Sequence, residues 1–317
     1  MDTAVAGQPI GTQDVGELYR RSVQWWGEKL AAFQDDQWDE ATPCGGWSVR
    51  DLINHVVGED RWTAPLMRGQ TITEVGDRLD GDLLGADPRA AGADAAAEAL
   101  DAVAETLPSH GTVHLSYGDE SMDEYLRQLT ADHLVHGWDL AVATGSDRRL
   151  DPELVAAVSG WFDHAEESYR SGGVIAGRLP LTGDPQADLL ARFGRDASWG
   201  PNHTALAGFN LAFGRGDLYA IMAHMTQDCV FESTGPAPDG TRHEGFEAVR
   251  GAWLDLFAHT REPRFIQEEF FVAGDRATQR WRYEWTNEDG TSGHVRGVDV
   301  VRLEDGKVSE KLSYVKG

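Results

Sequence analysis

The hydrophobic period of this chain changes once, and that change most limits what the chain can fold into. Up to about Asp196, apolar residues recur at three- and four-residue steps. Leu18, Val23, Trp26, Leu30 and Phe33 form one such set, and Leu129, Leu134, Val135, Trp138 and Val142 another; this is the spacing of helices that bury one face. At Ala197-Ser198-Trp199-Gly200-Pro201-Asn202 the pattern stops and a Gly-Pro turn intervenes. Beyond it come short helical runs and then four long segments with strand-like alternation. The 317 residues are long for one core and comfortable for two, so the expectation is a helical domain over 10–199 and an α+β domain over 203–317.

In the first domain the predicted helices are Gln13–Phe33, Val49–Met67, Ala90–Leu107, Met122–Thr144 and a last one running from Asp151-Pro152-Glu153 to about Tyr169. Ser48 followed by Asp51 is a cap signal for the second helix. Asp151 and Pro152 are the N-cap and first-position residues of the last helix, and Pro108 ends the third. Gly69–Arg89 is rich in Gly and Asp and is expected to be irregular, and Gly111–Gly118 to be a short extended piece.

The helix over 122–144 carries the chemistry. Asp132 and His136 are four residues apart, so their side chains stand one above the other on one face, with Asp139 three residues further on. A carboxylate and an imidazole placed this way are two legs of a divalent metal site, and the third leg must come from another helix. His55 is the candidate, which gives the constellation His55, Asp132 and His136, suited to zinc or a similar first-row ion. His133 lies about a hundred degrees round the helix from Asp132 and is expected to be a neighbour, not a ligand. Asp139 either orients a ligand histidine or makes an ordinary salt bridge. Glu59, one turn after His55, is a supporting group or base, and Gly137 admits a close helix approach. Cys44 precedes a helix start, where a thiolate is favoured, but loop packing is the plainer expectation.

In the second domain, His203–Phe213, Asp217–Met225 and Phe246–His259 are expected to be helices and Cys229–Ser233 a short strand. Arg264–Ala273, Arg276–Thr286, Gly293–Leu303 and Lys307–Val315 are expected to be long strands, divided by Gly274-Asp275, Asp289-Gly290 and Asp305-Gly306. Alternation puts Trp281, Tyr283 and Trp285 on one face and Arg280, Arg282 and Glu284 on the other. The aromatic face is assigned inward with Trp253 and Phe257, as a pocket for a flat or cyclic ligand, although a plain core predicts the same aromatics. Asp299, flanked by Gly297, Val298, Val300 and Val301, is either a catalytic acid or base or the partner of Arg282 or Arg296. His243 and Asp228 are secondary candidates at the pocket rim.

Two runs carry a family resemblance: Thr42-Pro43-Cys44-Gly45-Gly46-Trp47-Ser48-Val49-Arg50-Asp51-Leu52-Ile53-Asn54-His55-Val56 and His136-Gly137-Trp138-Asp139-Leu140-Ala141. With the closing stretch Leu189-Leu190-Ala191-Arg192-Phe193-Gly194-Arg195-Asp196, they resemble the metal-binding domain of the mycothiol-dependent maleylpyruvate isomerase family, of the DinB-like four-helix-bundle group. The resemblance places metal legs at His55, Asp132 and His136, with Asp where the isomerase has the longer Glu. Phe209–Asp217, Asp228–Glu232, Gly245–Trp253 and Arg296–Val308 resemble the SnoaL-like group of the NTF2 superfamily, a conical barrel around one pocket. Together these imply a metal-dependent isomerase or transferase acting with mycothiol or another low-molecular-weight thiol. One alternative is an isomerase, cyclase or hydratase in the cone, using Asp299 beside a structural bundle. Another is a non-enzymatic protein that binds or senses a small ligand.

Composition narrows the partners. A formal charge of −25 argues against nucleic acid and anionic membrane surfaces, both of which need clustered Lys and Arg. No apolar run approaches the ~18 residues of a membrane span, and Met1–Gln13 is unlike a signal peptide. Cys44 and Cys229 fall in separate domains, so no disulfide is expected and the cytoplasm is the default compartment. Scarce Lys beside abundant Arg, Ala, Gly and Asp points to a GC-rich, actinobacterial-type genome. The expected partner is a small-molecule substrate, with a homodimer left open.

Overall fold

The computed structural model describes residues 14–258, 261–286 and 290–316. Three sequence readings lie outside them: the tail Met1–Gln13, the helix end at His259, and Asp289 of the Asp289-Gly290 turn. The chain divides into two compact units. One takes residues up to Asp35 together with Arg50–Ala197, and the other takes Asp36–Val49 together with the chain from Ser198 onward.

The first unit opens with α1 (Val15–Ala32), capped by Asp14, whose carboxylate accepts from the Gly16 and Glu17 amides. Next come α2 (Val49–Met67), a one-turn α3 (Ile72–Val75) and α4 (Pro88–Thr106). A hairpin, β1 (Thr112–Leu115) and β2 (Gly118–Ser121), leads into α5 (Met122–Thr144), followed by α6 (Pro152–Ser171) and α7 (Pro185–Arg192). The α5 helix is buried over most of its surface: Leu126, Leu129, Leu134, Val135, Trp138 and Leu140 are all inside. A helix of that kind must be central, and α1 and α6 pack against it. Ser121 caps its start by accepting from the Glu124 amide, and Gly145 closes its end in the left-handed region at φ 73°. Gly137 lies under Trp25 of α1, where a Cβ would sit inside the indole.

Sequence and structure part in two places here. The stretch expected to be irregular holds α3, closed by a capping box in which Thr71 and Glu74 satisfy each other's backbone amides. The α7 helix was not anticipated; Asp184-Pro185, an N-cap followed by a first-position proline, is its start signal.

The second unit contains α8 (Pro201–Arg215), α9 (Leu218–Ala223), β3 (Met225–Glu232), β4 (Arg242–Glu244), α10 (Phe246–Ala258), β5 (Arg261–Ala273), β6 (Arg276–Thr286), β7 (Ser292–Glu304) and β8 (Lys307–Val315). Its strands form one sheet in the order β4-β3-β8-β7-β6-β5, antiparallel except for the β3–β8 pair. The edges β4 and β5 do not meet, so the described residues form an open α+β sheet and not a closed cone. Asp305 and Gly306 both take positive φ, 48° and 71°, as a tight turn between right-twisted strands requires. Leu206, Phe209, Phe213, Ile221, Val249 and Trp253 from the helices pack on Phe231, Ala277, Val301, Leu303 and Val308 of the sheet.

Within the first unit, α6 and α7 are fastened by one carboxylate. Glu166 accepts from Arg170 at 2.7 Å and from Arg192 at 2.8 Å, while Phe162 stacks on Phe193 at 4.2 Å. Burial pushes the Glu166 carboxyl up, but the two guanidiniums outweigh it and hold the pKa below the ordinary value. A depressed pKa contributes stability that is present above the unfolded value, about 4.3 for Glu, and is lost as pH falls through the lower folded one. Glu166→Gln is therefore expected to cost about 1.5–3 kcal/mol at pH 7. Urea unfolding from pH 7 to pH 3 checks this, since the gap between variant and parent should close on the acid side.

Candidate functional site

The α2 and α5 helices bring His55, Asp132 and His136 together, with their ligating atoms all within 4.8 Å of one another. Asp132 lies between the two histidines: its Oδ1 is 3.3 Å from His136 Nε2 and its Oδ2 is 3.5 Å from His55 Nε2. The imidazoles meet edge to face, with centroids 5.0 Å apart. Asp132 Oδ2 is buried yet accepts no well-formed hydrogen bond. Burial raises the Asp132 carboxyl, but His136 and then His55 outweigh it and hold the group well below the usual carboxylate range.

A second layer fixes the orientation of His136. Its Nδ1 donates to Asp139 Oδ2 at 3.0 Å, which turns Nε2 toward the Asp132 carboxylate. A proton on Nε2, or a cation in its place, bridges that pair. The donor set, two imidazoles and one carboxylate with ligating atoms within 4.8 Å of one another, is of the kind that holds a divalent first-row ion. Asp139 has no solvent exposure and is gripped by Arg195, whose Nε and Nη2 donate at 3.1 and 2.9 Å. Burial raises the Asp139 carboxyl, Arg195 and His136 lower it further, and the result is a pKa of about 2.

His133, beside Asp132 in sequence, takes no part. Its Nε2 meets Asp60 at 3.0 Å and its Nδ1 donates to the Leu129 carbonyl, a fully buried pair in the helical core. Glu59 is raised by burial, then by the Asp132 charge, against the pull of the histidines. Arg195 is the residue that sequence reading missed. It was quoted in the closing run of the first domain, but a salt bridge spanning residues 139 and 195 leaves no local pattern.

In the second unit, a cavity of about 490 Å³ opens between α8, α10 and the sheet. Of the residues assigned to a pocket, Trp281, Tyr283 and His243 line it. Trp253, Phe257 and Trp285 do not. Trp253 is wholly buried in the core and Phe257 packs on Phe213, because the face of α10 that meets the sheet is core. Trp285 lies over Gly293 of the neighbouring strand, a position that only a residue without a Cβ leaves open.

Asp299 is fully buried, and its counterion is Lys311 at 2.9 Å, not Arg282 or Arg296. Those arginines face the other side and pair with Glu284 and Glu268. Register explains it: Gln279, Asp299 and Ser313 are cross-strand partners. Ser313 donates to Asp299 Oδ1 and Gln279 to Oδ2, both at 2.7 Å. Both carboxylate oxygens are therefore engaged, which leaves Asp299 poorly placed to act as a free acid or base. Asp228, the other rim candidate, is an exposed residue of β3 and is not among those that line the cavity.

A model of the mycothiol maleylpyruvate isomerase N-terminal domain matches residues 19–141, and one of the SnoaL-like domain matches residues 206–311. Two Mycobacterium tuberculosis proteins, Uncharacterized protein Rv0738 and Uncharacterized protein MT0763, are each 35% identical over 182 residues, covering 55% of this chain and 93% of their own length. Among solved structures, an NTF2-like protein of unknown function from Mesorhizobium loti is 44% identical, covering 37% of this chain and 92% of its own, with a TM-score of 0.33. A second, from Burkholderia pseudomallei, is 22% identical with the same coverage and a TM-score of 0.34.

The Asp139 carboxylate is expected to act on a bound ion through His136. Asp139→Asn should lower zinc affinity about 10–100-fold, the usual effect of losing the group behind a ligand histidine. Competition against a chromophoric chelator measures this, with circular dichroism as the check that the helices persist. An unchanged affinity would make Asp139 purely architectural.

Proposed function

The chain belongs to the family of the two mycobacterial proteins and joins a mycothiol maleylpyruvate isomerase N-terminal domain to a SnoaL-like domain; on that premise we propose that its helical unit is a divalent-metal site that activates a low-molecular-weight thiol for an isomerase or transferase reaction. The observation that carries this reading is the convergence of His55, Asp132 and His136 around a buried carboxylate oxygen with no hydrogen bond.

A divalent ion with three protein ligands keeps a position for an outside ligand and acidifies a thiol or water bound there. The chain's own residues supply the rest. Arg195 and Asp139 hold the His136 ring so that Nε2 points at Asp132. Asp132 stays ionised, because the histidines favour its charged form. Glu59, whose carboxyl is raised, is suited to take the proton that the thiol gives up. His55 and Asp132 keep 29% and 28% of their side-chain surface, so a small thiol can reach this edge of the site.

Elemental analysis of protein purified without added metal or chelator is expected to find about one zinc-class ion per chain, the stoichiometry of a single three-residue site. His55→Ala, Asp132→Ala and His136→Ala should each lose it; full metal content in all three would refute the site. Titration calorimetry with mycothiol should show binding that a chelator abolishes and added zinc restores. Binding indifferent to the chelator would leave the metal without this role.

A further inference from the structure

Two polar contacts cross from α2 to α5. His55 meets Asp132 at 3.5 Å, on the side that keeps some exposure. The other joins Asp60 to His133 at 3.0 Å, and neither of its side chains has any exposure. Along α2, His55 and Asp60 are separated by about 7.5 Å of helix axis and about 140° of turn. Asp132 and His133 are neighbours on α5, about 100° apart. A single contact leaves a helix free to turn or slide about it. Two contacts at different heights and angles fix both motions.

The buried contact is also referenced to the α5 backbone. His133 Nδ1 lies 2.8 Å from the Leu129 carbonyl of its own helix. A carbonyl only accepts, so Nδ1 is the donor, and the ring cannot turn without losing that bond. Nε2 then marks a fixed point for Asp60 to meet. Tyr19 of α1 closes the joint, its ring nearly perpendicular to the imidazole at 5.7 Å and its hydroxyl 3.5 Å from Asp60 Oδ1. Three helices thus meet at one polar pair, in a core where Leu52, Ile53, Val56 and Leu126 have no exposure.

Stability alone does not account for that pair. Asp60 Oδ2 is buried and accepts no hydrogen bond among the described residues, and an unsatisfied buried oxygen costs free energy. Apolar side chains of similar size serve a core as well as a buried ion pair does, or better. What they lack is direction. Apolar contacts tolerate a small slip of one helix on another, whereas the Asp60–His133 contact is satisfied in one setting only. We propose that Asp60 and His133 are positioning residues for the metal site: they hold α2 in the setting that places His55 against Asp132 before any ion binds. This role presupposes the metal site described above, and neither residue is a ligand or touches the thiol. Without the pair, the aligned setting becomes one of several, and apparent ion affinity falls to the fraction of chains that hold it.

Two measurements on the full chain read the site without calling on activity: zinc affinity by competition against a chromophoric chelator, and the visible absorption of the cobalt(II) form. Asp60→Asn keeps an amide that can donate to His133 Nε2, and is expected to stay within about threefold of the parent. Asp60→Val/His133→Leu removes the polar pair and refills its space. It should resist urea as well as the parent does. It should nevertheless bind zinc about tenfold or more weakly, as when one chain in about ten holds the aligned setting, and show a changed cobalt spectrum. Asp60→Glu keeps the charge but carries the carboxylate one methylene further from α2, and should weaken zinc binding too. Parental affinity and cobalt spectrum in either of these last two, with circular dichroism showing the fold, would overturn the proposal. So would a loss in Asp60→Asn as large as in the apolar pair. A parent that binds no zinc would remove the metal site itself, and this role with it.

Discussion

A carboxylate with no solvent exposure, Asp139, is the point on which the helical unit turns. A charge in that position is tolerable only if it is paired and fully hydrogen-bonded. Arg195 meets it with two N–H donors and His136 with a third. That requirement reaches in two directions. Outward along the chain, it brings the segment after α7 back to the centre of α5. Inward, it sets which imidazole nitrogen of His136 is left to face Asp132. Architecture and candidate chemistry rest on the same three side chains, so a change at either end of the Arg195–Asp139 pair acts on both.

The second unit solves the same problem with different residues and a different result. Asp299 is equally buried, but lysine, serine and glutamine surround it. The network continues through Gln279 to Asn210 of α8, which also donates to Gln267 of β5 at 2.7 Å, and so ties helix to sheet beneath the aromatic wall. In the helical unit the polar chain ends at Asp132 beside the two histidines, and in the sheet unit it ends at Lys311 on the cavity wall.

Much of this was legible in the sequence, and the reason is locality. The Asp132/His136 pair and the Gly137 approach are set by helix periodicity within a few residues, and the structure puts them where that spacing does. The alternation Trp281-Tyr283-Trp285 was also right about the shared face, but a face does not say which of its residues meet a cavity and which meet core or a neighbouring strand. Trp281 and Trp285 both lie over a glycine of the neighbouring strand, Gly297 and Gly293, and of the two Trp281 lines the cavity. The partner of Asp299 was misjudged for the same reason. Arg282 and Arg296 were near in reading, whereas Lys311 becomes a neighbour only once β8 pairs with β7. The α7 helix had a plain start signal but was read as part of a family ending instead of as an element of its own.

The three clustered residues of the helical unit are unequally shielded. His136 keeps 11% of its side-chain surface, against 29% for His55 and 28% for Asp132, and Asp139 holds its ring from behind. An ion held there would be anchored on its inner side and accessible on its outer side. Its arrival and departure would then be governed by rotation of the two outer side chains, a fast local event, and not by any opening of the buried α5 helix. Occupancy would thus follow changes in the surrounding metal supply quickly, even in a unit whose central helix is its most protected part.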